Sequence, residues 1–106
     1  MAWIILFVAG LLEIVWAVAL KQSHGFTRLV PSLVTLAGMA GSIVFLALAM
    51  RSLPLGTAYT VWTGIGAVGA FAVGIAFLGE PANAMRLTAA AVIVAGLVLM
   101  KLASAE

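Results

Sequence analysis

Glu13 stands alone. From Ala2 to Leu20 the chain is apolar or aromatic apart from this one carboxylate. Ten residues separate it from Trp3 and eight from Lys21. At about 1.5 Å of helix rise per residue, these are roughly 15 Å and 12 Å. In a bilayer that depth is the midplane, where a charged side chain costs about 2.5–3.5 kcal/mol on insertion scales. An acid retained at that cost points to function. The bland alternative is a protonated Glu13 hydrogen-bonded to a neighbouring helix.

The same depth arithmetic brings other polar groups toward it. Ser42 lies nine residues before Arg51, roughly 13 Å in. Trp62 lies eight residues past Pro54, roughly 12 Å deep, and Tyr59 roughly 8 Å. Glu13, Ser42 and Trp62 are therefore expected to share a level. Trp16 follows Glu13 at i+3 and shares its helix face. Tyr59, Trp62 and Gly66 repeat at i, i+3 and i+7 on another. Taken alone, such aromatics are equally suited to packing or to a lipid-interface belt; their coincidence in depth with Glu13 favours a site.

One carboxylate, one hydroxyl and several polar-tipped aromatics suit a cation. A carboxylate removed from water favours its protonated form, and two of them facing each other across a two-fold axis titrate jointly. An arriving cation reverses that preference and expels protons. Mutually exclusive binding of proton and cation is the minimal machinery of an antiporter. The aromatics can add cation–π contacts or donate hydrogen bonds that hold the carboxylate in place.

The elements that must position these residues follow from composition. The 106 residues are 66% hydrophobic and 8% charged, against about 45–50% and 25% in a soluble domain. That excess must face lipid, which excludes a soluble enzyme, a disordered tail and, with no basic run, a nucleic-acid binder. The charges fall at Glu13, Lys21, Arg28, Arg51, Glu80, Arg86, Lys101 and Glu106. Between Arg28 and Arg51 lie 22 uncharged residues, and between Arg51 and Glu80 lie 28, opened by Pro54. A spanning helix takes about 20. The spacing predicts an all-α integral membrane protein, one transmembrane domain over 1–106, with helices at about 2–21, 29–50, 54–78 and 83–102 and short loops. The N-terminus lacks the basic n-region and the cleavage site of a signal peptide. Lys21, Arg28 and Lys101 mark span boundaries, and Arg86 can snorkel from one turn inside the last helix.

With four spans, Lys21, Arg28 and Arg86 fall on one side, Arg51 and Lys101 on the other. Three cations against two is almost no positive-inside bias, and it implies insertion both ways up. Many transporters place their site between inverted repeats, but this chain shows no internal repeat. An antiparallel pair of identical chains would supply one. In the last helix, Ala91 and Ala95, then Val92 and Gly96, have small-xxx-small spacing and no midplane polar partner, which suits dimer contact. Gly64 and Gly66 sit halfway along the third helix, as a hinge for alternating access or as simple close-packing sites. The single His24 lies in a loop, cysteine is absent, and no metal set or nucleophile–base pair is present. No cofactor and no enzymatic activity are expected.

Several runs now carry a resemblance: Glu13 through Lys21, Gly25-Phe26-Thr27-Arg28-Leu29, Pro31-Ser32, and Leu53-Pro54-Leu55-Gly56-Thr57-Ala58-Tyr59-Thr60-Val61-Trp62-Thr63-Gly64-Ile65-Gly66. Together they resemble the small multidrug resistance family over essentially the whole chain. Trp16 after Glu13, the Trp62-to-Gly66 run and Gly79-Glu80-Pro81 resemble its guanidinium-exporter branch. The resemblance implies a proton-coupled exporter of guanidinium and small guanidinyl cations in a bacterial inner membrane, acting as an antiparallel homodimer of dual topology. It implies that Glu13 binds substrate or protons, that Trp16, Ser42, Tyr59 and Trp62 line the site, and that the last helix carries dimer contact. Guanidinium is planar and can give two parallel hydrogen bonds to a carboxylate, which Ser42 and the aromatic tips are expected to orient. The alternatives are a broader exporter of quaternary ammonium and other toxic lipophilic cations, and a membrane accessory subunit that transports nothing.

Overall fold

The computed structural model describes residues 1–104 as four α-helices: α1 (Ala2–Gln22), α2 (Leu29–Ala49), α3 (Leu55–Phe77) and α4 (Ala84–Ala103). All four are long and apolar enough to cross a membrane. A helix of 20 residues is about 30 Å long, matching the hydrocarbon core. The molecule is a multi-pass membrane protein.

The helix ends fall within a residue or so of those expected, for identifiable reasons. Pro54 is the N-cap of α3 rather than its first residue, with extended backbone. Pro31 sits in the first turn of α2, where its missing N–H costs no helical bond. Asn83 caps α4, its side chain accepting the Arg86 backbone N–H at 2.9 Å. At the end of α3, Gly79 adopts a φ of +73°, a left-handed geometry that closes the helix by turning the Glu80 N–H onto the Gly74 carbonyl at 3.1 Å.

The helices stand as a palisade rather than a closed bundle. Its Cα extents are 43 × 35 × 16 Å. The order across it is α2, α1, α3, α4: α1 packs along both α2 and α3, whereas α4 packs along α3 alone. The buried apolar cluster, including Leu6, Ala9, Leu46, Ala49, Ala58 and Val61, belongs to α1, α2 and α3. No residue of α4 is buried. Close approach within the first three helices rests on glycine. A methyl group at Gly10 would meet Ile65, one at Gly38 would meet Trp16, and one at Gly69 would meet Ile14. Small residues at such points let spanning helices draw together without a hydrophobic driving force between them.

Candidate functional site

α1 is the central helix, and its polar residues look toward both neighbours. Glu13 faces α3. A Cβ at Gly66 would collide with the Glu13 carboxylate, so the acid lies directly over the bare α3 backbone. Its Oε1 is buried and has no hydrogen-bond partner among the described residues. Such an orphan is costly in any apolar setting, and in a functional site it indicates a partner that comes and goes.

One turn before Glu13, three helices are joined by a short relay. The Trp62 indole N–H donates to Ser42 Oγ at 2.9 Å, and Ser42 Oγ donates to the Ala9 carbonyl at 2.6 Å. Ser42 is fully buried. Tyr59 stacks against Trp62, with ring centroids 5.6 Å apart at 45°, and is itself 53% exposed. The structure brings Ser42 and Trp62 together on the α1 backbone. Gly38 seats against Trp16 in the antiparallel α1/α2 pair, which puts Ser42, one turn on, near the level of Leu12 and within reach of the Ala9 carbonyl. In this arrangement Ser42 and Trp62 hold each other and the α1 backbone; neither is hydrogen-bonded to Glu13.

Trp16 shares the Glu13 side of α1 but seats its Cβ on Gly38 of α2 rather than on α3. Its Nε1 is a buried donor that also has no partner among the described residues. The result is an acceptor and a donor, Glu13 Oε1 and Trp16 Nε1, both unsatisfied on the same helix three residues apart. Gly66 is thus the floor of the carboxylate site. Extending the depth arithmetic one turn beyond Trp62 would have found it there. Gly64 faces the other way, toward Leu97 of α4, and α3 runs unbroken through both glycines. The three α4 residues expected to share a contact do not share a direction. Gly96 lines the α3/α4 seam, while Ala91 and Ala95 are exposed on the helix face away from it.

Two cations do more than mark boundaries. Arg86 pairs with Glu80 at 3.3 Å and lies 5.3 Å from the centre of the Phe71 ring. Lys101 lies over Trp3 at 4.7 Å. Both contacts are made near the ends of α4.

The sequence model of the Small Multidrug Resistance protein family matches residues 1–94. The chain belongs to this family. Curated relatives named Guanidinium exporter align over nearly its whole length. That of Yersinia pseudotuberculosis serotype I (strain IP32953) is 60% identical over 104 residues, covering 98% of this chain and 100% of its own. That of Escherichia coli (strain K12) is 61% identical, covering 98% and 99%. A third, from Citrobacter freundii, is 59% identical over the same span.

Proposed function

We propose that this chain exports guanidinium and small guanidinyl cations across the bacterial inner membrane in exchange for protons, as an antiparallel homodimer of four-helix domains. The observation that carries the reading is Glu13 Oε1, buried against Gly66 in a membrane-spanning helix with no hydrogen-bond partner among the described residues. Deprotonated, it accepts the two parallel hydrogen bonds that a planar guanidinium can give. Protonated, it is neutral and the cation has no counter-ion. The two ligands exclude each other, and export is thereby coupled to proton entry. The names of the relatives support guanidinium as the cation.

The neighbours have separable roles. Ser42 and Trp62 fix the wall of the site by bonding to each other and to the α1 backbone. Trp16 offers its free indole N–H to the carboxylate or to a ligand atom, and Tyr59 borders the entrance. A palisade 16 Å thick leaves such a site open on one side. A second, inverted copy closes it, and the near-even Lys and Arg count on the two sides supports both orientations. The exposed Ala91 and Ala95 of α4, on the face away from α3, are offered for that contact. Gly64 and Gly66 let α3 bend as access alternates.

The family's name favours a second reading, broad export of quaternary ammonium cations. Proteoliposomes with an imposed proton gradient separate the two. Guanidinium uptake that is abolished by Glu13→Gln supports the first. Robust flux of large aromatic cations without guanidinium flux overturns it.

A further inference from the structure

Two stiff side chains bracket the contact between Glu13 and Gly66. α1 and α3 run parallel, and each lends the other one isoleucine. Ile65, the residue before Gly66, fills the notch at Gly10, one turn before Glu13. Ile14, the residue after Glu13, fills the notch at Gly69, one turn beyond Gly66, where a methyl group would run into its Cδ1 and Cγ1. Gly66 and Gly69 stand three residues apart on one face of α3. The carboxylate and the isoleucine beside it therefore rest on the same strip of bare backbone. The two side chains differ in stiffness. Glutamate is unbranched, and its carboxylate torsion is broad. Isoleucine is branched at Cβ and keeps essentially one χ1 rotamer in a helix. The seat of Ile14 in Gly69 thus fixes the separation and the axial register of the two helices at the acid.

We infer that Ile14 and Gly69 are a positioning pair for the exchange site. They hold α1 on α3 so that the Glu13 carboxylate meets a guanidinium in the geometry of two parallel hydrogen bonds. Both act through Glu13 rather than on the cation, so the assignment rests on the function proposed above. Such a pair of bonds is directional, and both weaken steeply when the acid tilts or withdraws. A close-packed interior transmits the strain of a single added methyl group. A methyl group at Gly69 would push α1 away from α3 right beside the acid, without itself entering the space over Gly66.

The test measures guanidinium affinity of the purified full chain together with the infrared band of the Glu13 carboxylate, assigned as the one that Glu13→Gln removes. Gly69→Ala is expected to weaken guanidinium binding about ten-fold and to shift that band. Ile14→Ala, which empties the notch instead of crowding it, is expected to weaken binding about five-fold. Joined, the two changes are expected to offset each other. With Ile14 cut back to its Cβ, the new methyl group at Gly69 has that atom at 3.5 Å, an ordinary contact. The double variant should bind within about three-fold of wild type, with the band restored. Leu53→Ala, a cavity in the apolar cluster from the loop between α2 and α3, is expected to lower thermal stability and leave affinity and band unchanged. Unchanged affinity and band in both single variants, or losses that simply add in the double variant, would overturn the assignment. An equal loss of affinity in Leu53→Ala would overturn it too, by showing that any loosening of the fold suffices. Guanidinium binding retained in Glu13→Gln would overturn the proposed function itself, and this assignment with it.

Discussion

α1 and α4 are both apolar helices of similar length, yet the molecule uses them in opposite ways. α1 is flanked on two sides, and glycines at its contacts let α2 and α3 draw close. Its acid is held in an interior where displacement of a few tenths of an ångström matters. α4 packs along α3 alone, with no buried residue and with open space along that seam. It is fastened near its ends, by Asn83 and the Arg86–Glu80 pair at one and by Lys101 over Trp3 at the other. The difference teaches where specificity and adaptability reside. The proposed exchange site lies where packing is close, and the helix proposed for contact with a partner copy lies where packing is loose.

Substitutions can break this contrast, beginning at the acid. Glu13→Gln removes the only acidic group inside the first span and is expected to abolish proton-driven guanidinium flux while leaving membrane insertion and dimerisation intact. Gly66→Ala comes next. Its methyl group cannot coexist with the Glu13 carboxylate in the present geometry, so guanidinium affinity is expected to fall at least ten-fold. A variant that binds normally would show that Glu13 does not rest against α3. Ser42→Ala leaves the partly buried Trp62 N–H without its acceptor, a loss of about 1 kcal/mol. It should appear in thermal stability and in substrate affinity together. The α4 changes are expected to be milder. Asn83→Ala should cost about 1 kcal/mol of stability. Glu80→Gln, which weakens a largely exposed ion pair, should cost less than about 1 kcal/mol. Both are read by thermal denaturation in detergent, and both should leave guanidinium affinity unchanged. If the α4 variants proved as costly as Ser42→Ala, the contrast between the two regions would fail.

The sequence made the spans legible because punctuation and hydrophobicity agree there. Pro54 ends a loop, and isolated cations bound long apolar runs. Glu13 was legible for the same reason, as an acid where none belongs. What one-dimensional depth could not resolve was the axial offset between helices. Ser42 and Trp62 were placed level with each other, and they are bonded. Neither is hydrogen-bonded to Glu13, because the fit of Gly38 on Trp16 and of Gly66 on the acid decides which side chains meet. The roles of Arg86 and Lys101 were hidden for a related reason. A cation over Phe71 or Trp3 depends on which helix faces meet, and periodicity within one helix carries no such information. The same limit applied to α4, where Ala91, Ala95 and Gly96 look alike in spacing but point to different surroundings.

The central claim is that Glu13 holds either a proton or the cation. Equilibrium binding of guanidinium to the purified protein, followed as pH is lowered, tests it most directly. The wild type should bind progressively more weakly toward acid pH, since each Glu13 that gains a proton loses its charge for the cation. Glu13→Gln should show no binding at any pH. Binding that is independent of pH, or retained in Glu13→Gln, would contradict the account.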